Sequence, residues 1–313
     1  MRIRPSRSTR PRTKDRPDYR SASEGFVLTV DRGRITCLAE NRTITAMKAR
    51  DLGKNAVVAG DVVSLVGDLS GATGSLARVV EVKQRKNSVT RTIDVGSAKV
   101  IAANIDQMLI VSASSNPEPK HGFIDRCLVV AYDQGIKPII VMTKFDLANP
   151  KEFLTAYEPL AIDTFIINRD SDLSSIQAIL SAKTSVLIGH SGVGKSTLVN
   201  RLTGDKQRSV GNVNTVTGRG RHTSSSAIAL PLPNSGWIID TPGVRSFGLE
   251  HVDESRVIGA FPELHDAIAS CPKNCHHLGN GCALDLLATA KPTNLARVES
   301  LRRLLQSQSS PLI

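Results

Sequence analysis

The 313-residue chain has no apolar run approaching the ~18–20 residues that cross a bilayer as a helix. That absence argues against a membrane-embedded protein, and no membrane partner is expected. No apolar segment follows the Arg-rich start, so a secretory leader is not expected either. Cysteine is scarce. Five are present, three of them within twelve positions, too few and too clustered for a disulfide framework. The clustering points to a metal and to a reducing setting.

Apolar residues make up 40% of the chain and charged residues 22%, an ordinary balance for soluble domains, and the length suits two or three compact units. The net charge of +11 is uneven: residues 1–20 hold eight Lys/Arg against two acids, net +6. Such an arm (1–22) is expected to be disordered by itself and drawn to polyphosphate, as in nucleic acid, by counterion release. A solubilising tail or an organellar transit peptide would have the same composition.

Residues 23–92 read as short strands punctuated by turns: Gly25–Val30, Ile35–Ala39, Val57–Val66 centred on Gly60-Asp61, and Ser75–Val82. About five strands in this length suggest a small OB-type β-barrel, with a sandwich fragment as the alternative. The stretch Lys83-Gln84-Arg85-Lys86, with Arg91, forms a basic edge that suits an oligonucleotide-binding face or a solvated charge run. From residue 98 to 250, apolar strands alternate with amphipathic helices. The strands are Met108–Val111, Pro138–Met142, Phe165–Ile167, Val186–Ile188 and Trp237–Ile239, and a helix is predicted over 122–134. This is the pattern of a doubly wound α/β domain. Residues 251–313 hold a Cys/His cluster and a last helix with the apolar stripe Leu295, Val298, Leu301 and Leu305.

Within the α/β region, Gly189-His190-Ser191-Gly192-Val193-Gly194-Lys195-Ser196-Thr197 matches the G-x-x-x-x-G-K-[ST] phosphate loop between a strand and a helix. The glycines let backbone N–H groups converge on phosphates and the helix dipole assists. Lys195 is expected at the β- and γ-phosphates and Ser196 on Mg²⁺. Asp240-Thr241-Pro242-Gly243 follows a strand about 44 residues downstream, placing Asp240 to hold magnesium through water and the Gly243 N–H to sense the γ-phosphate. Thr143-Lys144-Phe145-Asp146 ends another strand. A carboxylate there can accept from guanine N1–H and the N2 amino group, a pair adenine lacks, and the Lys144 stem can cover the base. These residues predict a GTPase. A P-loop ATPase of another class, or an RNA-binding zinc protein using nucleotide only as a structural ligand, are the competing readings, and intact Lys195, Ser196 and Asp240 disfavour the second.

The guanine turn precedes the phosphate loop, the reverse of most GTPases. With Asn104-Ile105-Asp106-Gln107, Gly218-Arg219-Gly220-Arg221-His222-Thr223, the OB-like unit and the Cys/His cluster, this order resembles the circularly permuted ribosome small-subunit-dependent GTPases, RsgA. The resemblance spans nearly the whole chain after the arm. It implies a cytoplasmic enzyme that binds the small ribosomal subunit and its rRNA late in assembly, with GTP hydrolysis stimulated by the subunit and GTP or GDP as ligand. A monomer is expected. Val244 stands where many GTPases carry a water-orienting glutamine, so intrinsic hydrolysis is expected to be slow. The resemblance supports His222 as the catalytic assistant, with an RNA-facing histidine as the alternative. Thr223 is the expected switch magnesium ligand, with Thr217 and Ser224 as competitors. Arg219 and Arg221 suit RNA or phosphate. Where relatives carry a Ser-Ala-like guanine segment, this chain has Ile166-Ile167-Asn168-Arg169-Asp170.

Cys271, Cys275, His277 and Cys282 give a C-x₃-C-x-H-x₄-C spacing that can saturate one tetrahedral, structural Zn²⁺. His276 competes for the imidazole position; the family position favours His277, although both outer spacings are about a residue shorter than in the family's better-known form. Cys37 and Cys127 fall in apolar patterns and are expected to be buried small hydrophobes.

Overall fold

The computed structural model describes residues 19, 22–53, 56–94, 97–204, 226–241, 249, 252–279, 281–290 and 292–309. Five strands form a closed barrel: β1 (Ser23–Asp31), β2 (Arg34–Ala39), β3 (Arg42–Lys48), β4 (Val62–Gly67) and β5 (Ala77–Val82). Their order is β1-β2-β3-β5-β4, closed by β1 against β4, with β3 and β5 parallel. Val27, Ile35, Cys37, Ile44, Val63, Leu65 and Val79 fill the interior. The run Val57–Val66, expected as one strand, is interrupted. Gly60 turns at φ +88°, and a Cβ there would lie 2.2 Å from the Ala103 carbonyl oxygen. Only Val62 onward joins the barrel. β3 was not among the strands expected, although Thr43-Ile44-Thr45-Ala46 alternates.

The basic stretch after β5 is largely spoken for. Arg85 Nε and Nη2 donate to both carboxylate oxygens of fully buried Asp61 (2.6 and 2.8 Å), and Nη2 also donates to the Ala56 carbonyl. Lys86 pairs with Asp106 and Lys83 with Glu81. Arg85 is therefore an internal staple, an outcome that neither an RNA face nor a solvated run anticipates.

A two-stranded ribbon, β6 (Ser88–Asp94) and β7 (Ser97–Ala103), leads to the second unit. The Asn104–Gln107 segment is the joint between them. Asn104 donates to the Gly60 carbonyl and accepts from the Lys86 N–H, Asp106 accepts from the Thr184 N–H, and Gln107 donates to the Ile179 carbonyl.

The α/β sheet comprises β8 (Gln107–Ala113), β9 (Lys137–Thr143), β10 (Asp163–Ile166), β11 (Thr184–Ile188), β12 (Ile228–Pro231) and β13 (Trp237–Asp240). The order is β10-β9-β8-β11-β13-β12, parallel except for β12. The chain runs outward from β8 to β10, then returns to β11 on the other side of β8. That reversal is where α/β sheets open a crevice at the carboxyl ends of their strands. Side chains alternate across the sheet. Met108, Ile110, Ile140 and Ile188 pack with α1 (His121–Asp133). Leu109, Val111, Ile139 and Leu187 face α3 (Ser174–Ile179) and α4 (Lys195–Thr203), while the short α2 (Lys151–Leu154) precedes β10.

The α1 face also carries the C-terminal helices α5 (Glu254–Gly259), α6 (His265–Ala269), α7 (Ala283–Ala290) and α8 (Pro292–Ser309). β12 pairs with β1 at Ile228↔Thr29, so sheet and barrel run into each other as eleven strands. No described helix is long and apolar enough to cross a membrane.

Candidate nucleotide site and candidate metal site

The carboxyl ends of β9, β11 and β13 open on one cleft of about 760 Å³. Thr143, Lys144, Asp146, Gly189, Ser191, Gly192, Gly194, Lys195, Ser196, Thr197 and Asp240 all line it, so the tertiary structure brings together residues spread over nearly a hundred positions.

The loop after β11 is shaped by contacts with its neighbours. A Cβ on Gly189 would lie 2.4 Å from the Val111 carbonyl oxygen, so only glycine fits against β8. Gly194, at φ +92°, caps α4, whose first turn (Lys195, Ser196, Thr197) faces the cleft. A helix start with inward N–H groups favours phosphate. His190 and Val193 turn elsewhere: the His190 ring packs on Phe123 of α1 (4.4 Å between centroids), and Val193 is buried.

Thr143 ties the two ends of the cleft together, its hydroxyl donating to the Val193 carbonyl at 2.6 Å. Lys144, at φ +58°, donates through Nζ to the Asn116 carbonyl and lines the cleft with Asp146. Lys195 Nζ donates to the Gly189 and His190 carbonyls of its own loop, at 2.5 and 2.7 Å. Burial lowers the Lys195 pKa from the ordinary lysine value, and the charge of Asp240 opposes that shift. Burial raises Asp240 above the usual carboxylate value, opposed by Lys195 and the Thr241 N–H. Lysine, serine hydroxyl and carboxylate at one end form a donor set that fits Mg²⁺ and phosphate. Gly243, Val244, His222 and Thr223, with the rest of the 218–223 segment, lie outside the described residues, as does nearly all of the 1–22 arm.

Sequence reasoning missed part of the cleft wall. Leu147, Leu198 and Arg201 also line it, along with Ile167, Asn168 and Arg169 of the segment whose role the sequence left open. Arg201 carries no motif, and only its neighbours reveal it.

In the C-terminal helices, the ligand atoms of Cys271, Cys275, His277 and Cys282 all lie within 4.8 Å of one another. Cys271 Sγ is 3.6 Å from both Cys282 Sγ and His277 Nδ1, and Cys282 Sγ is 3.7 Å from that nitrogen. A tetrahedron with zinc bonds of about 2.0–2.3 Å has edges near these lengths, so the set fits a structural metal with no open position. His276 is exposed and outside the group. The His277 N–H donates to Cys275 Sγ at 3.4 Å and pulls that thiol below the usual thiol value. Arg302 of α8 donates to the His277 carbonyl (3.0 Å) and to Asp285 (2.6 Å). Cys37 and Cys127 are fully buried, and burial pushes the Cys37 thiol up to about 12.

A family model described as RsgA GTPase matches residues 82–250, more than half of the chain. The Small ribosomal subunit biogenesis GTPase RsgA of Hahella chejuensis is 36% identical over 239 residues, covering 73% of this chain and 68% of the relative. That of Shewanella oneidensis is 37% identical over 278 residues, covering 85% and 75%. The crystal structure of YjeQ from Thermotoga maritima superposes with a TM-score of 0.68 at 22% identity, covering 93% of this chain and 99% of that one. YloQ, a circularly permuted GTPase, gives 0.66 at 22%, covering 96% and 100%. At that identity the two structures speak to the fold alone. With a guanine turn ahead of a phosphate loop in one parallel sheet, and sequence kinship across most of its length, the chain belongs to the RsgA GTPase family and hydrolyses GTP.

Proposed function

We propose that this GTPase serves biogenesis of the small ribosomal subunit in the cytoplasm, binding the subunit and its rRNA late in maturation as a GTP-bound monomer and leaving it as the GDP form. The observation that carries the proposal is the single cleft with Asp146 at one end and Lys195, Ser196 and Asp240 at the other. The names of the relatives, at 36–37% identity, support the ribosomal role.

In this reading Asp146 accepts from the guanine edge and the Lys144 stem covers the base. Lys195 exchanges its two loop carbonyls for β- and γ-phosphate oxygens. Ser196, Thr223 and Asp240 (the last through water) would hold Mg²⁺, which neutralises charge between those phosphates when bound. Gly243 N–H would meet the γ-phosphate. Val244 cannot orient a water, and His222 is assigned that task on the sequence pattern. Cys271, Cys275, His277 and Cys282 would hold one structural Zn²⁺.

The test is GTP turnover by wild type and His222→Ala, with and without purified 30S particles. Stimulation of the wild type, largely lost in the variant, is the expected result. Equal stimulation of both removes His222 from catalysis, and no stimulation of the wild type overturns the ribosomal role. Asp146→Asn should shift preference from guanine toward xanthine nucleotides.

A further inference from the structure

Arg201 lies on α4 six residues after Lys195, about 9 Å along a helix at 1.5 Å per residue. It is half-buried and lines the nucleotide cleft. Its Nη1 donates to the Asn168 carbonyl at 3.1 Å, and its Nη2 donates to the Ser171 carbonyl. Those carbonyls belong to the turn after β10, and Ile167, Asn168 and Arg169 of that turn line the cleft together with Asp146 and Leu147.

The turn has its own internal bonds. Asn168 Oδ1 accepts from the Asp170 N–H and the Ser171 hydroxyl, both at 2.9 Å. The Ile167 N–H reaches the Met142 carbonyl at 2.8 Å, which fixes the side of the turn nearest β9. The other side is held by Arg201. A planar guanidinium can reach two carbonyls at once with little loss of freedom, and an ammonium cannot span them in the same way.

We propose that Arg201 is a positioning residue for guanine selection. It clamps the 167–172 turn to the phosphate-binding helix, which fixes the distance between the base wall and Lys195. This rests on the reading that the base lies at Asp146. Holding both ends of a ligand at a fixed separation lowers the cost of ordering the site on binding. Without the clamp, the wall beside the base can drift while the phosphate loop stays intact.

The test uses the full chain with its metal. For wild type, Arg201→Ala and Arg201→Lys, it measures steady-state KM and kcat for GTP, release of a fluorescent GDP analogue, and the ratio of GDP to IDP affinity. IDP lacks only the 2-amino group. Expected for Arg201→Ala are a KM raised about tenfold, faster release, a GDP:IDP ratio that falls several-fold, and little change in kcat, as loss of a binding-side contact produces. Arg201→Lys should fall between, and it carries the test if the alanine variant does not fold. A change confined to melting temperature or active fraction, with KM and the GDP:IDP ratio unchanged, overturns the proposal. Asp146→Asn is assayed in parallel. If it still selects guanine, the placement of the base fails and the clamp with it; if it turns to xanthine while Arg201 variants keep wild-type selectivity, only the clamp fails.

Discussion

Burial acts in opposite directions on the two charged groups of the phosphate end, lowering the Lys195 pKa and raising that of Asp240, each opposed by the other's charge. For Asp240 the folded value lies above the unfolded one. The stability this carboxyl contributes is therefore complete in acid, below the ordinary carboxylate value, and is lost as pH rises through the raised folded value. Above that folded value, where the buried carboxyl is ionised, its charge costs folding free energy. Asp240→Asn is expected to melt higher than wild type at pH 7 without Mg²⁺ or nucleotide, yet to lose Mg²⁺-dependent GTP affinity. A variant that melts lower would refute the sign. Arg85 is the reverse case, a cation retained for stability. Truncating it strands the fully buried Asp61, and loss of one partner of a buried pair costs about 3–5 kcal/mol. Arg85→Ala should show that loss in urea unfolding, whereas an RNA-contact residue would change affinity for RNA and leave stability alone.

Among the elements, α8 does two jobs with two arginines. Arg297, 2% exposed, donates to Asp125 of α1 at 2.9 Å and to Glu263 at 2.7 Å, and stacks over the Phe261 ring at 4.3 Å. Ser300 adds a bond to Asp125. Removing Arg297 takes the buried cationic partner from Asp125 and leaves it only neutral hydroxyl donors such as Ser300; Arg297→Ala is expected to destabilise by about 3–5 kcal/mol, measured by chemical denaturation. Arg297→Met, which keeps the volume, should still leave most of that deficit because the stranded carboxylate is the cause. The expected apolar stripe was partly right. Val298, Leu301 and Leu305 are buried, but Leu295 is 44% exposed and Leu304 takes part in the core instead. Periodicity selects a face of a helix but not its width, and here a buried ionic cluster occupies the face beside Val298. Strands β8, β9 and β11 were legible because they are covered on both sides and read as unbroken apolar runs. β12, only four residues ending in Pro231, offers no such pattern and is defined by its pairing with β13 and β1.

At the scale of the whole molecule, the three regions are physically continuous. β1 joins barrel to sheet through the Thr29↔Ile228 pair and the Phe26–Trp237 ring contact, 4.9 Å between centroids. α8 joins the sheet to the Cys/His cluster, through Arg297 on one side and Arg302 on the other. Chelating a metal held by the four residues of the proposed site should therefore loosen the segment around Cys271–Cys282 while the clasp of α8 on α1 persists. Limited proteolysis after chelation is expected to cut first near the cysteines, with a lower melting temperature and GTP binding retained. Loss of GTP binding together with the metal would show that the metal loop supports the nucleotide cleft as well.

The sequence by itself determined the chemistry. A phosphate cradle, a guanine turn and a Cys₃His set are each built from residues a few positions apart, so their spacing carries the geometry. The order of the first two, against the strands read from the sequence, pointed to a permuted chain. Only the tertiary structure decided which polar groups were free to act. Arg85 meets Asp61 across 24 residues, Arg201 meets Asn168 across 33, and Arg297 meets Asp125 across 172. Such pairs depend on where the chain returns to itself, and neither composition nor periodicity encodes that return.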